Sequence, residues 1–165
     1  MSGTTEVIER YAAGGPLLQY AVAGLSADHE AKRVEPGLWS PSELVAHLLD
    51  ADLVIADRIK RVIAEEDPVL YAFDETAWLE RLDSRSMPVD EAVALFAANR
   101  RWMARILSKC TEADFARSGQ HSEVGRLTLA ALVAKAIGHL DHHLRFLYGK
   151  RATLGEAVPP RFTAQ

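Results

Sequence analysis

Helical spacing of apolar residues runs through most of this 165-residue chain and limits its fold more than any other feature. Apolar side chains recur three and four positions apart, whereas the alternating runs typical of strands are nearly absent. A helix with one apolar stripe has to bury that stripe against a neighbouring helix when the chain offers no sheet. The sequence therefore predicts an all-α fold, in a single domain that spans residues 1–165.

Four long helices are expected from this spacing. They lie at about residues 5–25, 41–65, 88–108 and 127–148. The second has the clearest start, since Ser40 can cap its free amides, Pro41 suits its first position and Glu43 completes a capping box. A short extra helix is expected at about 74–82, in the long connection that follows.

Long connections after the second and third long helices favour a four-helix bundle with at least one crossover connection. Residues from about 152 to 165 lack the helical spacing and are expected to form a loose tail. No internal repeat or low-complexity segment interrupts the pattern, so no second architecture is needed to explain it.

Charge and composition exclude several classes of partner. The chain has 19 basic and 23 acidic residues and no dominant basic cluster, which disfavours a nucleic-acid partner. Its most apolar stretch, 127–134, is far shorter than the ~20 residues of a membrane span. Cys110 is the only cysteine, so an intrachain disulfide cannot form. We expect a cytoplasmic protein without a membrane segment.

Three of the six histidines fall within five residues, at positions 139, 142 and 143. On a helix, His139 and His143 lie one above the other, four residues apart, and can present two imidazoles to one ion. The stripe of Leu132, Ala136 and Leu140 places this pair inward and turns His142 away. A single inward histidine usually just packs in a core, but a pair in this register favours a metal site.

His47 lies at the edge of the apolar stripe of the second helix, so geometry permits it as a third ligand without requiring it. Three imidazoles would leave coordination positions open, as in catalytic rather than structural sites. Polar groups nearby in sequence could orient the imidazoles by hydrogen bonding to the ring nitrogens that do not bind the metal. The candidates are Glu43, Asp50, Asp141 and His142.

Two other helical metal sites fit poorly. A ferritin-like di-iron site needs a glutamate three residues before a histidine, and neither His139 nor His143 has one. A zinc-protease helix needs a glutamate directly after its first histidine, where this chain has Leu140.

The residues resemble the DinB-like metal-binding bundles, in particular the YfiT-like branch associated with metal-dependent hydrolases and thiol transferases. The markers are Trp39-Ser40-Pro41 followed by Glu43 and His47, then His121 before a glycine-containing turn, then His139-x-x-His142-His143. This resemblance covers almost the whole chain. It implies a four-helix bundle whose metal ligands are His47, His139 and His143.

One position departs from the family pattern. Phe146 stands where a glutamine commonly follows the last histidine by three residues. The change leaves the ligands intact but removes a polar contact that relatives can offer a substrate. Trp39, His121 and Phe146 are the residues we expect around a substrate cleft.

Two functions stay open from the sequence. The first is a metal-dependent enzyme, a thiol S-transferase or hydrolase that acts on a small molecule, with its catalytic residues unidentified. The second is a non-catalytic metal- or ligand-binding module with a stress or regulatory role. Either would bind one divalent ion, zinc or nickel first, although imidazole ligands also suit iron and copper. A low-molecular-weight thiol is a candidate partner, and Gly138 leaves a homodimer open.

Overall fold

The computed structural model describes residues 2–163, and most of them are helical. The helices are α1 (Ser2–Val22), α2 (Ala27–Ala31), α3 (Pro41–Ala64), α4 (Glu75–Arg81), α5 (Val89–Leu107), α6 (Glu112–Ala116) and α7 (Leu129–Thr153). The strands are β1 (Val69–Leu70), β2 (Ser118–His121) and β3 (Gly125–Thr128). The four long helices, α1, α3, α5 and α7, confirm the predicted all-α four-helix bundle.

The packing of the long helices confirms the crossover connections. α1 packs mainly on α5 and α7, and α3 packs on the same two helices. α1 and α3 therefore lie at opposite corners of the bundle, as do α5 and α7. The chain has to cross the end of the bundle between α1 and α3, and again between α5 and α7. No helix within residues 2–163 combines the length and apolarity that a membrane span requires.

Local hydrogen bonds fix where α3 begins. The Ser40 hydroxyl accepts from the Glu43 amide at 3.2 Å, and the Glu43 carboxylate accepts from the Ser40 amide at 2.8 Å. Arg33 donates two further hydrogen bonds to the same carboxylate, at 2.9 and 2.6 Å. The predicted capping box is present, and His47 lies about two turns into the helix that it starts.

A small sheet joins the two long connections. β1 pairs with β2 in parallel, with Leu70 opposite His121, and β2 pairs with β3 as an antiparallel hairpin. The sequence indicated a polar loop for most of this region. The strands have two to four residues each, which is too short for an alternating pattern, and β1 and β2 are about 50 residues apart in sequence.

The segment after α7 is packed rather than loose, which corrects the sequence-based expectation. Val158 and Phe162 pack against the core formed by α1, α3, α5 and α7. Thr163 donates two hydrogen bonds to the Asp141 carboxylate, from its amide at 2.9 Å and its hydroxyl at 2.6 Å. Tyr148 also donates to the Arg161 carbonyl oxygen. These partners are distant in sequence, so helical spacing could not reveal them.

One buried arginine links all four long helices. Arg100 of α5 is 2% exposed and donates to Asp52 of α3 at 2.6 Å. Its other nitrogens donate to the Tyr11 carbonyl of α1 and the Ala136 carbonyl of α7, at 3.3 and 3.0 Å. A Cβ on Gly14 would approach the Arg100 guanidinium to 3.3 Å, so the glycine leaves room for it. The guanidinium thereby holds the helices at a defined relative height.

We predict that Asp52→Ala lowers the free energy of unfolding by about 3–5 kcal/mol, because it leaves the buried Arg100 charge without its carboxylate. Asp57→Ala on the same helix is the control, since Asp57 and its partner Arg61 are exposed. Urea denaturation of both variants checks this. Equal loss of stability in the two variants would contradict a special role for the buried pair.

Candidate metal centre

Three imidazoles from α3 and α7 converge on one point. The Nε2 atom of His47 lies 3.1 Å from that of His139 and 3.2 Å from that of His143. The Nε2 atoms of His139 and His143 are 3.1 Å apart. His47 is 2% exposed, and the other two are half-buried. The helical pair predicted from the register does face inward, and α3 brings His47 to it.

Hydrogen bonding alone cannot satisfy this triangle. A neutral imidazole nitrogen either carries a proton or offers a lone pair. With three nitrogens and two states, at least two share a state, so at least one of the three contacts joins two donors or two acceptors. A cation bound to three lone pairs removes that conflict.

The spacing also fits a metal ion. Imidazole nitrogens bind zinc at about 2.0–2.1 Å, which places two ligand nitrogens of a tetrahedral site about 3.3 Å apart. The observed separations of 3.1 to 3.2 Å are close to this value. Within the described residues, His47, His139 and His143 form a group of potential ligands that matches the predicted set.

Burial keeps these imidazoles neutral. It lowers the pKa of His139 to about 4 and that of His143 to about 3, and the neighbouring imidazoles add to both shifts. Burial also lowers the pKa of His47, against an opposing effect of the Glu75 carboxylate. At neutral pH all three lone pairs are therefore available to an ion.

Aromatic rings cover one side of the centre. The Trp39 ring lies 4.9 Å from that of His47 and stacks nearly parallel to that of His143 at 6.5 Å. Phe146 lies 6.1 Å from His143 and contacts His142 edge-on at 4.8 Å. Two of the three predicted cleft residues thus border the imidazoles from this apolar side.

The four candidates for orienting groups lie in different places. Glu43 caps α3 and binds Arg33, while Asp141 holds Thr163. Asp50 lines a separate apolar groove between α3 and α5, where burial raises its pKa. The His142 ring lies edge-on to the His143 ring, with 5.0 Å between the ring centroids. Among the described residues, the buried Nδ1 atoms of His47 and His143 have no hydrogen-bond partner.

The other side of the centre opens into a polar cavity of about 190 Å³. His47 and His139 form part of its wall, and His121, which the sequence indicated in a loop and named only as a cleft candidate, is buried and also lines it. The remaining polar lining residues are Arg58, Glu75, Glu123 and Lys135. His121, the third predicted cleft residue, therefore lies in this cavity, whose lining includes neither Trp39 nor Phe146.

Sequence reasoning missed Glu75. One oxygen of its carboxylate lies 3.6 Å from Nε2 of His47, on the side of the cavity. Glu75 is the first residue of α4, whose start is fixed by Asp74 accepting from the Ala77 amide at 2.9 Å. The Asp74 cap located this helix in the sequence, but no local signal could show which part of the bundle it meets.

The chain is thus a four-helix bundle with a candidate metal site, formed by three inward imidazoles from its second and last long helices. The model of the DinB superfamily matches residues 11–147. The chain therefore belongs to the DinB superfamily.

Relatives and solved structures agree with this. A protein of Geobacillus thermodenitrificans named "Putative metal-dependent hydrolase" is 35% identical over 140 residues, which cover 84% of this chain and 78% of that protein. A protein of Geobacillus kaustophilus with the same type of name is 30% identical over 76% of this chain and 71% of its own length. The structure of YfiT from Bacillus subtilis matches with a TM-score of 0.86, at 23% identity, over 92% of this chain and 87% of that one.

We predict that the metal-free protein loses stability on acidification. The unfolded imidazoles have a pKa near 6.5, above the folded values of His139 and His143, so the unfolded chain binds more protons between about pH 6.5 and 4. The free energy of unfolding should fall as the pH decreases through this window. Urea denaturation at several pH values measures the slope.

The double variant His139→Ala/His143→Ala should have a clearly shallower slope, because the two groups responsible are gone. His142→Ala is the matched control and should keep the slope of the original protein. If the double variant and the original protein showed the same pH dependence, the buried pair would not be its source.

Proposed function

We propose that this protein is a metal-dependent enzyme that acts on a small molecule, either as a hydrolase or as a thiol S-transferase. The observation that carries the proposal is the convergence of three neutral imidazole nitrogens beside a cavity that also contains a carboxylate. The names of the Geobacillus relatives support hydrolysis, and the resemblance to the YfiT-like branch adds thiol transfer. Both reactions begin with removal of a proton from a nucleophile.

His47, His139 and His143 would hold the ion through Nε2. A divalent ion with open coordination positions acts as a Lewis acid that acidifies a water molecule or a thiol and polarises an electrophile. Zinc and nickel are the first candidates, since imidazole ligands accept either. The polar cavity, which His47 and His139 line, would give a small substrate access to the ion.

Glu75 is the group best placed to accept the proton. Its carboxylate is near His47 Nε2 but is 55% exposed, so solvent can take up the proton afterwards. A general base has to reach the nucleophile directly or through one water molecule. Glu75 meets that condition for a nucleophile in the cavity, while Glu43, Asp50 and Asp141 are engaged or located elsewhere.

A non-catalytic metal-binding module is the second candidate, and one observation favours it. Metal-bound histidines usually donate their other nitrogen to an oxygen acceptor, and loss of such partners weakens binding. The unpartnered Nδ1 atoms of His47 and His143 indicate a loosely supported site, which suits a protein that binds and releases its ion. Absence of metal-dependent turnover across a broad substrate panel would favour this module.

A homodimer remains part of the proposal. A Cβ added to Gly138 would meet nothing within 4 Å, so the exposed residue does not mark a close helix approach within the chain. The same surface of α7 can therefore approach a second copy.

We predict that protein purified without an affinity tag contains about one divalent ion per chain. The double variant His139→Ala/His143→Ala should lose it, because two of three ligands are removed. His142→Ala, on the same helix but outside the triangle of nitrogens, should keep it. Elemental analysis by mass spectrometry measures all three. Full occupancy in the double variant would refute the ligand assignment.

We also predict that Glu75→Gln lowers kcat by about 10²–10⁴-fold, because the amide cannot accept a proton. Metal content should not change. Steady-state kinetics on the best substrate from a panel of thiols with electrophiles, esters and amides provide the measurement. Glu80→Gln, at another exposed glutamate of α4 that does not line the cavity, is the control and should have the original kcat. Unchanged kcat in Glu75→Gln would exclude Glu75 as the base.

A further inference from the structure

A buried arginine in the wall of the polar cavity has no acidic partner. Arg58 of α3 is 5% exposed, and its Nε and Nη2 atoms both donate to the Tyr71 carbonyl oxygen, at 3.2 and 2.5 Å. Among residues 2–163, no carboxylate lies within ion-pair distance of Arg58, and only its Nε and Nη2 atoms donate hydrogen bonds. Burial lowers the pKa of Arg58, and the carboxylates of Asp57 and Glu123 oppose that shift without contacting the guanidinium. A buried guanidinium with an unused donor beside a cavity can accommodate a further anion.

Two further donors line the same cavity. The buried His121 accepts a hydrogen bond from the Glu123 amide at Nδ1, so its neutral form carries the proton at Nε2. Burial and the charges of Arg58 and Lys135 lower its pKa, which favours that neutral form. Lys135 lies one helical turn before His139 and is exposed at the rim. Three elements, α3, β2 and α7, thus bring hydrogen-bond donors to one space.

The acidic groups of the cavity do not cancel these donors. Glu75 and Glu123 are both exposed, so solvent screens their charges, whereas Arg58 is buried. The charges of the lining side chains sum to zero, since two are cations and two are carboxylates. A divalent ion at the imidazoles would add two positive charges. The cavity of a loaded protein is therefore positive.

Its size limits the ligand to a small group. About 190 Å³ corresponds to ~6 water molecules, well below the range of cavities that enclose a drug-sized ligand. A carboxylate on a short chain fits this volume. Its two oxygens match the planar fork of a guanidinium, and such charge-assisted bonds are strong when they are buried.

We propose that Arg58, His121 and Lys135 bind a carboxylate of the substrate, so that the enzyme selects small anionic molecules over neutral ones. This inference rests on the proposed function, because it assigns the substrate class of the same centre. The substrate's reactive group then lies at the imidazoles, with its carboxylate at the far wall of the cavity. Selection then arises from residues of α3, β2 and α7 that line the cavity.

The test compares two thiols that differ only in charge. Protein loaded with cobalt(II) is titrated with 3-mercaptopropionate and with 3-mercapto-1-propanol, and binding is followed by the visible spectrum of the ion. We expect the carboxylate to bind about tenfold more tightly at neutral pH. Equal affinity for the two thiols would overturn the proposal.

Variants identify the source of the preference. Lys135→Gln should reduce it to about threefold, because an exposed charge contributes modestly, and Arg58→Gln should abolish it. Lys60→Gln, an exposed lysine of α3 outside the cavity, is the matched control and should keep the full preference. If circular dichroism shows that Arg58→Gln does not fold, Arg58→Lys replaces it and should reduce the preference, because an ammonium group lacks the planar fork that binds both carboxylate oxygens. If the tenfold preference for 3-mercaptopropionate persisted in the variants at both Lys135 and Arg58, these two residues would not be the carboxylate site.

Failure of the metal site is separated from failure of the anion site. If the protein takes up no cobalt, the proposed function fails, and the metal-free protein is then titrated with propionate and 1-propanol. Amide resonances of Phe73 and His121 are followed by NMR. Shifts caused by propionate alone would support the anion site, and equal shifts or none would overturn it.

Discussion

The fold depends most on the buried contact of Arg100 with Asp52 and with two backbone carbonyls. This one guanidinium reaches α1, α3 and α7 from α5, and Gly14 leaves space for it. Asp52 lies five residues after His47, and Ala136 lies three residues before His139. The contact therefore sets the relative height of the two helices that carry the imidazoles. An apolar side chain could fill the same volume, but it would not define the height, because buried polar contacts act on register more than on stability.

How much of this could be predicted depended on whether the relevant contacts are local in sequence. The pair His139 and His143 follows from helical register, because residues four apart share a face whatever surrounds the helix. The start of α3 follows from Ser40 and Glu43 for the same reason. His47 required the family resemblance, since a position at the edge of a stripe does not say which neighbour it faces. Glu75 and Arg58 could not be found from local signals. The path of the connection from α3 to α4 places Glu75 beside His47 and brings the Tyr71 carbonyl oxygen to Arg58.

The small sheet also depends on contacts between residues that are distant in sequence. β1 and β2 are too short to alternate visibly, yet their pairing moves His121 from an apparent loop into the wall of the cavity. The packed segment after α7 gives a second example. The sequence indicated Asp141 as a candidate partner for an imidazole, but its carboxylate accepts hydrogen bonds from Thr163 of this segment. In both cases a polar residue near the histidines in sequence has its role set by a segment distant in sequence. Sequence patterns therefore predicted which imidazoles converge better than they predicted what surrounds them.

The candidate metal centre has two kinds of surroundings. The rings of Trp39 and Phe146 lie near the imidazoles, whereas His47 and His139 also line the cavity that contains Glu75. Three neutral ligands would leave the full charge of a bound divalent ion uncompensated, which would strengthen it as a Lewis acid. Glu75 is near enough to take a proton, yet it is held through α4, a helix of seven residues with one buried side chain, Leu79. An element with few buried side chains opens locally more easily than the long helices, so the packing of α4 determines how firmly Glu75 is held beside His47.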